Sequence, residues 1–171
     1  FRRWRVIVVL MGVCGCGKTT VGRALAGQLA WPFHDADGFH PPANVAKMAA
    51  SVPLTDDDRW PWLDRIASEM GAINDTGGHA VLACSALKQA YRDRIAKAGD
   101  VRFVFLRGDH ATIAARLATR QHEYMPATLL PSQFATLEEP ADALVVDIRA
   151  DVATQVAAIR RGLALDAAAH A

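Results

Sequence analysis

The amino-acid sequence predicts an α/β domain in three layers, with a central five-stranded parallel sheet, helices on both faces and a phosphate-binding loop after the first strand. Three observations carry this prediction. Strand and helix signals alternate along nearly the whole chain. The candidate strands are short, unbroken apolar runs, the composition of strands buried on both faces. The first of them, Val6-Ile7-Val8-Val9-Leu10-Met11, passes directly into Gly12-Val13-Cys14-Gly15-Cys16-Gly17-Lys18-Thr19, which reads G-x-x-x-x-G-K-T.

That loop organises the rest. Its glycines let the backbone curl and turn successive N–H groups towards one point, where a polyphosphate accepts several hydrogen bonds. Lys18 supplies a mobile positive charge for the β- and γ-phosphates, and the Thr19 hydroxyl is placed to hold Mg²⁺. From Lys18 the pattern turns helical, with Val21, Leu25, Ala26 and Leu29 on one side, so the phosphates also meet a helix N-terminus. The predicted ATP site therefore runs through Gly12, Val13, Cys14, Gly15, Cys16, Gly17, Lys18, Thr19 and Thr20. A ligand-free glycine turn is the competing reading, and the order strand, loop, helix argues against it.

The remaining elements follow in order. Trp31-Pro32-Phe33-His34-Asp35 reads as a short second strand, and Pro41-Pro42 opens a helix to about Ala50. Leu54 to Trp62 holds Asp56-Asp57-Asp58-Arg59 and two tryptophans around Pro61, and a helix is expected from Trp62 to about Asn74, ended by Gly77-Gly78. A third strand spans His79 to Cys84, followed by a helix from Lys88 to Ala98. Val101 to Leu106 is the fourth strand, and Ala111 to Arg120 is helical before Gln121 to Pro126 breaks the pattern. Ala143 to Ile148 gives the fifth strand, and an alanine-rich helix begins near Val152, with a frayed tail expected from Asp166.

The 171 residues suit a single domain, and a 51% hydrophobic composition is enough for a substantial core. A net charge of +1 implies no nucleic-acid partner, and the Arg2-Arg3-Trp4-Arg5 cluster reads as a solvated start to the first strand. No apolar run approaches the ~20 residues that span a bilayer and no signal-peptide pattern opens the chain, so no membrane partner and a cytoplasmic location are the default expectations. Cys14, Cys16 and Cys84 suggest no disulfide framework. A metal or redox role for Cys14 and Cys16 is weaker than the plain reading that this loop accommodates small side chains.

Ligands of parallel sheets sit beyond the carboxyl ends of the strands. The polar clusters fall there: the glycine-rich loop, Asp35 and Asp37 after the second strand, and Ser85 to Lys88 after the third. Phosphoryl transfer needs a fixed γ-phosphate, charge neutralisation and an aligned acceptor. Alternate positions leaving a strand point opposite ways, which directs Asp35 towards metal water or base work and Asp37 towards a substrate hydroxyl. A polar turn or helix cap is the bland reading of the pair. Arg116 and Arg120 are four apart, so on a helix they share a face and reach a nucleotide together; His122 follows, and an ordinary solvated basic face competes. Lys18, Asp35, Asp37 and Arg120 are thus the candidate catalytic residues, Thr19 and Asp35 the candidate Mg²⁺ ligands, and Arg116 and Arg120 the second source of charge for ATP. Arg59, Lys88 and Arg92 lie near predicted loop or helix starts and suit capture of a carboxylate, although Arg59 could instead pair with Asp56. Trp60 and Trp62 read as core or hinge packing.

Taken together, the sequence resembles the gluconate kinases of the P-loop small-molecule kinase group, relatives of shikimate kinase and the nucleoside monophosphate kinases. The resemblance rests on the loop itself, on Asp35-x-Asp37-x-x-His40-Pro41, Asn44-x-x-Lys47-Met48, Pro53-Leu54-x-Asp56-Asp57-Asp58-Arg59-x-Pro61-Trp62-Leu63, Cys84-Ser85-Ala86-Leu87-Lys88-x-x-Tyr91-Arg92-Asp93, Arg116-Leu117-x-x-Arg120-x-His122 and Leu137-Glu138-x-Pro140. It implies ATP- and Mg²⁺-dependent phosphorylation of D-gluconate at the 6-hydroxyl, in a cytoplasmic homodimer with the P-loop kinase fold and a mobile lid. It further implies substrate contacts from Asp37, His40, Lys47, Arg59, Lys88 and Arg92, a substrate-binding helical segment over about 38–75, and a lid over about 116–130 that carries Arg116 and Arg120. Cys14 and Cys16 stand where the family usually has serines, and Glu123-Tyr124-Met125 replaces its usual aromatic pair. The rivals are a kinase of the same fold for another hydroxy acid such as shikimate, and a nucleotide-dependent switch, against which the absence of N-K-x-D counts.

Overall fold

The computed structural model describes residues 5–119 and 129–165. Its strands, β1 (Ile7–Met11), β2 (Phe33–Asp35), β3 (Ala80–Ala83), β4 (Val101–Arg107) and β5 (Leu144–Asp147), form one sheet in the order β2-β3-β1-β4-β5. Every neighbouring pair is parallel, with β1 at the centre and Val9 aligned with both Leu82 and Phe103. All residues of β1 are buried, which is why its sequence is apolar without alternation.

The alternation reappears in which core each residue enters. Val8 and Leu10 face α1 (Lys18–Leu29), α5 (His110–Ala118), α6 (Leu130–Thr136) and α7 (Val152–Gly162), through Val21, Leu25, Ile113, Leu117, Leu130, Val156 and Ile159. Ile7, Val9 and Met11 face α3 (Asp56–Asp75) and α4 (Gln89–Ala96), through Leu63, Ile66, Met70, Tyr91 and Ile95. The remaining helix, α2 (Pro42–Ala49), starts on the expected prolines and buries Asn44.

Two elements depart from expectation. Helix α3 starts at Asp56, well before the predicted Trp62, because Thr55 and Asp58 form a capping box: the Thr55 hydroxyl accepts from the Asp58 N–H at 3.1 Å and the Asp58 carboxylate from the Thr55 N–H at 2.9 Å. Pro61 lies inside the helix, where it lacks the N–H that would have bonded the Asp57 carbonyl. Helix α6 was not foreseen at all; it is short, and Leu130 is its one buried residue. Between β2 and α2, residues Ala36–Phe39 form a single 3₁₀ turn, capped by the Asp35 carboxylate accepting from the Asp37 N–H at 3.0 Å.

Candidate active site

The sheet brings the glycine-rich loop, the 3₁₀ turn and the loop after β3 to one end. Gly12 and Gly15 take φ of +147° and +80°, and a Cβ on either would strike Cys16 Sγ at 2.7 Å or Leu117 Cδ2 at 2.8 Å, so only glycine fits. The Gly12 N–H donates to the Ser85 carbonyl at 3.2 Å, which ties the loop to the end of β3. Lys18 folds back over the loop, its Nζ donating to the Gly12 and Val13 carbonyls at 3.0 Å each. Gln133 of α6, which the sequence reading missed, accepts the Cys14 N–H through its Oε1 at 2.6 Å. Thr19 and Thr20 are exposed at the helix start. Cys16 is buried and Cys14 half-buried; desolvation raises the Cys14 thiol above its ordinary pKa, which keeps it protonated.

Asp35 ends β2 and Asp37 sits in the following turn. Asp37 is an exposed residue, yet the groups packed around its carboxyl partly desolvate it. That desolvation and the adjacent Asp35 charge raise its pKa, and Lys18 partly offsets the rise. Lys18 and the acidic pair thus share one electrostatic field.

The turn is held by α2 and α3. The buried Trp62 indole donates from Nε1 to the Ala36 carbonyl at 2.7 Å. The His40 ring stacks on Trp62 at 4.1 Å, and its Nδ1 lies 3.1 Å from Asn44 Nδ2, which also reaches the Asp58 carbonyl at 2.9 Å. Burial, and then the Arg59 charge, push the His40 pKa down to about 4, so its ring is neutral at physiological pH. Trp62 therefore packs, as expected, and so does Trp60, whose ring lies 4.7 Å beneath the Arg94 guanidinium.

A charged cluster joins the starts of α3 and α4. Asp56 receives Arg59 Nη1 at 3.5 Å, Lys88 Nζ at 3.2 Å and a short bond from the Tyr91 hydroxyl, and these partners hold its carboxyl below the usual range. Arg59 thus makes the Asp56 pair that was its competing reading, and it shares that carboxylate with Lys88. Lys47 bonds Asp58 at 2.7 Å, and that bond, with the Thr55 N–H, depresses Asp58 to about 2.

Arg92 is placed differently from the open donor that the sequence suggested. Only 2% exposed, it donates from Nη1 to the Ala86 carbonyl at 2.7 Å and from Nη2 to the Glu138 carbonyl at 2.7 Å, with Nε buried and unpartnered among the described residues. Glu138 completes this wall by capping α4, its Oε1 accepting the Gln89 N–H at 2.9 Å. Arg116 lies in α5 beside Gly17 and donates to the Ile148 carbonyl at 2.5 Å. Arg120 and His122 lie outside the described residues. Among the described residues no group of three or more His, Cys, Asp or Glu could hold a metal ion, whereas Thr19 and Asp35 offer the exposed hard oxygens that suit a cation carried mainly by phosphate and water.

Comparison with known proteins decides the family. A gluconokinase of Gluconobacter oxydans is 48% identical over 137 residues, covering 79% of this chain and 76% of that one. The chain belongs to the gluconokinase family. The thermoresistant gluconokinase of Escherichia coli is 40% identical across 91% of this chain and 94% of its own. A solved gluconokinase from Sinorhizobium meliloti superposes with a TM-score of 0.84 at 40% identity, covering 95% and 94% of the two chains. The Shikimate kinase family model also matches, over residues 14–141. The chain is therefore a kinase of small molecules, and no helix among its described residues is long and apolar enough to cross a membrane.

Proposed function

We propose that the protein transfers the γ-phosphoryl group of ATP to the 6-hydroxyl of D-gluconate, giving 6-phospho-D-gluconate and ADP. The observation that carries the reading is that the loop lysine and Asp37 act on each other at the same sheet end where the starts of α3 and α4 present the Arg59 and Lys88 cations. One side suits a polyphosphate and the other a sugar acid. The 40–48% identity to gluconokinases favours gluconate over shikimate as the acceptor.

In this reading Lys18 leaves the Gly12 and Val13 carbonyls for the phosphate oxygens. Thr19 and Asp35 would hold Mg²⁺, which would supply charge neutralisation for the transferring group. Asp37 orients the acceptor hydroxyl and takes its proton; the raised pKa makes its carboxylate a better acceptor than an ordinary one. Arg59 and Lys88 receive the gluconate carboxylate, with Lys47 and His40 lining the same side, and Arg92 backs that wall by pinning the chain at Ala86 and Glu138. Arg116 stands at the loop for the nucleotide, and Arg120 joins it by family resemblance, as does a lid over about 116–130. A single-domain, cytoplasmic homodimer completes the proposal.

The test is ADP release with Mg-ATP and gluconate, shikimate, glucose, glycerate or AMP. Turnover with gluconate alone is expected. Turnover with another acceptor would retain the kinase chemistry and replace the substrate, and tight ATP binding without any turnover would favour a nucleotide switch.

A further inference from the structure

The pairing of α3 with the 3₁₀ turn reaches beyond the proposed reaction, on which the following inference rests. Ala36 lies between the two candidate carboxylates, Asp35 and Asp37, and is 1% exposed. Its carbonyl takes a 2.7 Å bond from Trp62 Nε1. Farther along the same turn, Arg65 donates to the Phe39 carbonyl at 3.4 Å and lies over the Phe39 ring. The turn is thus fastened to α3 at both ends. The same helix carries Arg59 one turn before Trp62, about 4.5 Å along the axis at 1.5 Å rise per residue. Leu63, Ile66 and Met70 seat that helix in the core without exposure, so it is a rigid spacer.

We propose that Trp62 is a positioning residue that fixes Asp37 relative to Arg59 and thereby sets the chain length of the acid that is phosphorylated. The carboxylate end of the acceptor is held by the first turn of α3, and the hydroxyl end meets a carboxylate whose turn hangs from the next. An aldonate one carbon shorter cannot span both points without moving one of them. The indole N–H is the part that matters, because the ring face is already occupied by His40. Phenylalanine at this position keeps the ring and the stack but loses the bond to Ala36.

The experiment compares wild type and Trp62→Phe with gluconate and with a five-carbon aldonate. A displacement near 1 Å is worth up to about 100-fold in rate, so a loss of roughly tenfold in kcat with gluconate is expected, with KM for ATP unchanged. The ratio of kcat/KM for the two acids should fall several-fold, because the fixed span is what separates them. Equal loss with both acids, or no loss, would overturn the proposal, since a purely packing role lowers all acceptors together. Should Trp62→Phe fail to fold, Arg65→Ala removes the other fastening from the exposed side, and an unchanged ratio there would overturn it as well. The wild-type panel separates the two layers of argument. If another acid is preferred, the gluconate reading falls, while the ratio between that acid and its one-carbon-shorter analogue still tests Trp62.

Discussion

Asp37 is an exposed residue whose carboxyl is nonetheless partly desolvated, and this environment pulls function and stability in opposite directions. Asp37→Asn keeps the size and polarity but cannot accept a proton, so kcat should fall by about 10²–10⁴-fold, the range of general-base catalysis, while ATP binding is retained. Parallel loss of both would remove its acceptor role. The sign of the stability change follows from linkage. A carboxyl whose folded pKa is raised favours the folded state below its unfolded pKa of 3.8 and loses that contribution as pH rises through the folded value. At neutral pH the ionised group is therefore a burden, and the Asn variant should melt higher than wild type even as it loses activity. A lower melting temperature at pH 7 would show that Asp37 holds its turn together instead.

Among the elements, α3 shows best what the sequence does and does not disclose. Its apolar spacing is legible from Trp62 onward, but Pro61 hides its true start, and the Thr55-x-x-Asp58 box is masked by the acidic run in which Asp58 lies. Helix α6 left a weaker signal still, so Gln133 could not be linked to Cys14, a contact between residues 119 positions apart. Asp56 and Tyr91 were visible as motif letters, but only the meeting of α3 and α4 reveals that one carboxylate gathers Arg59, Lys88 and the tyrosine hydroxyl. By contrast, the glycine-rich loop and the acidic pair were legible because their chemistry is contiguous in the chain. The capping box also orders the turn that bears Asp56 and Arg59. Thr55→Ala should cost about 1 kcal/mol of stability in urea unfolding. It should also raise KM for gluconate and leave KM for ATP alone; a matching rise in both would mean that the first turn of α3 does not serve the acceptor side.

At the scale of the whole molecule, the parallel order was legible because β1 is apolar on both faces and the connections between strands are helical. What the pattern could not supply was the coupling between the acceptor side and overall stability, and His40 makes that coupling measurable. It is 8% exposed, stacked on Trp62, bonded to Asn44 and close to Arg59, and its pKa is lowered from 6.5 to about 4. The unfolded chain therefore binds a proton at His40 over a range in which the folded protein does not. The stability associated with the neutral ring is complete above pH 6.5 and is lost as pH falls towards 4. Asp58 and Asp147, each depressed to about 2, keep their contributions above 3.8 and lose them only as pH falls through about 2. On acidification His40 should therefore lower the melting temperature first, between pH 6.5 and 4, and the carboxylates next, between 3.8 and about 2, with the protonation of Asp37 opposing part of the decline. In His40→Gln, whose amide can still meet Asn44 but does not titrate, the step between pH 6.5 and 4 should vanish while the lower one remains. A first step that persists unchanged in that variant would assign the acid sensitivity to another group and leave His40 as packing alone.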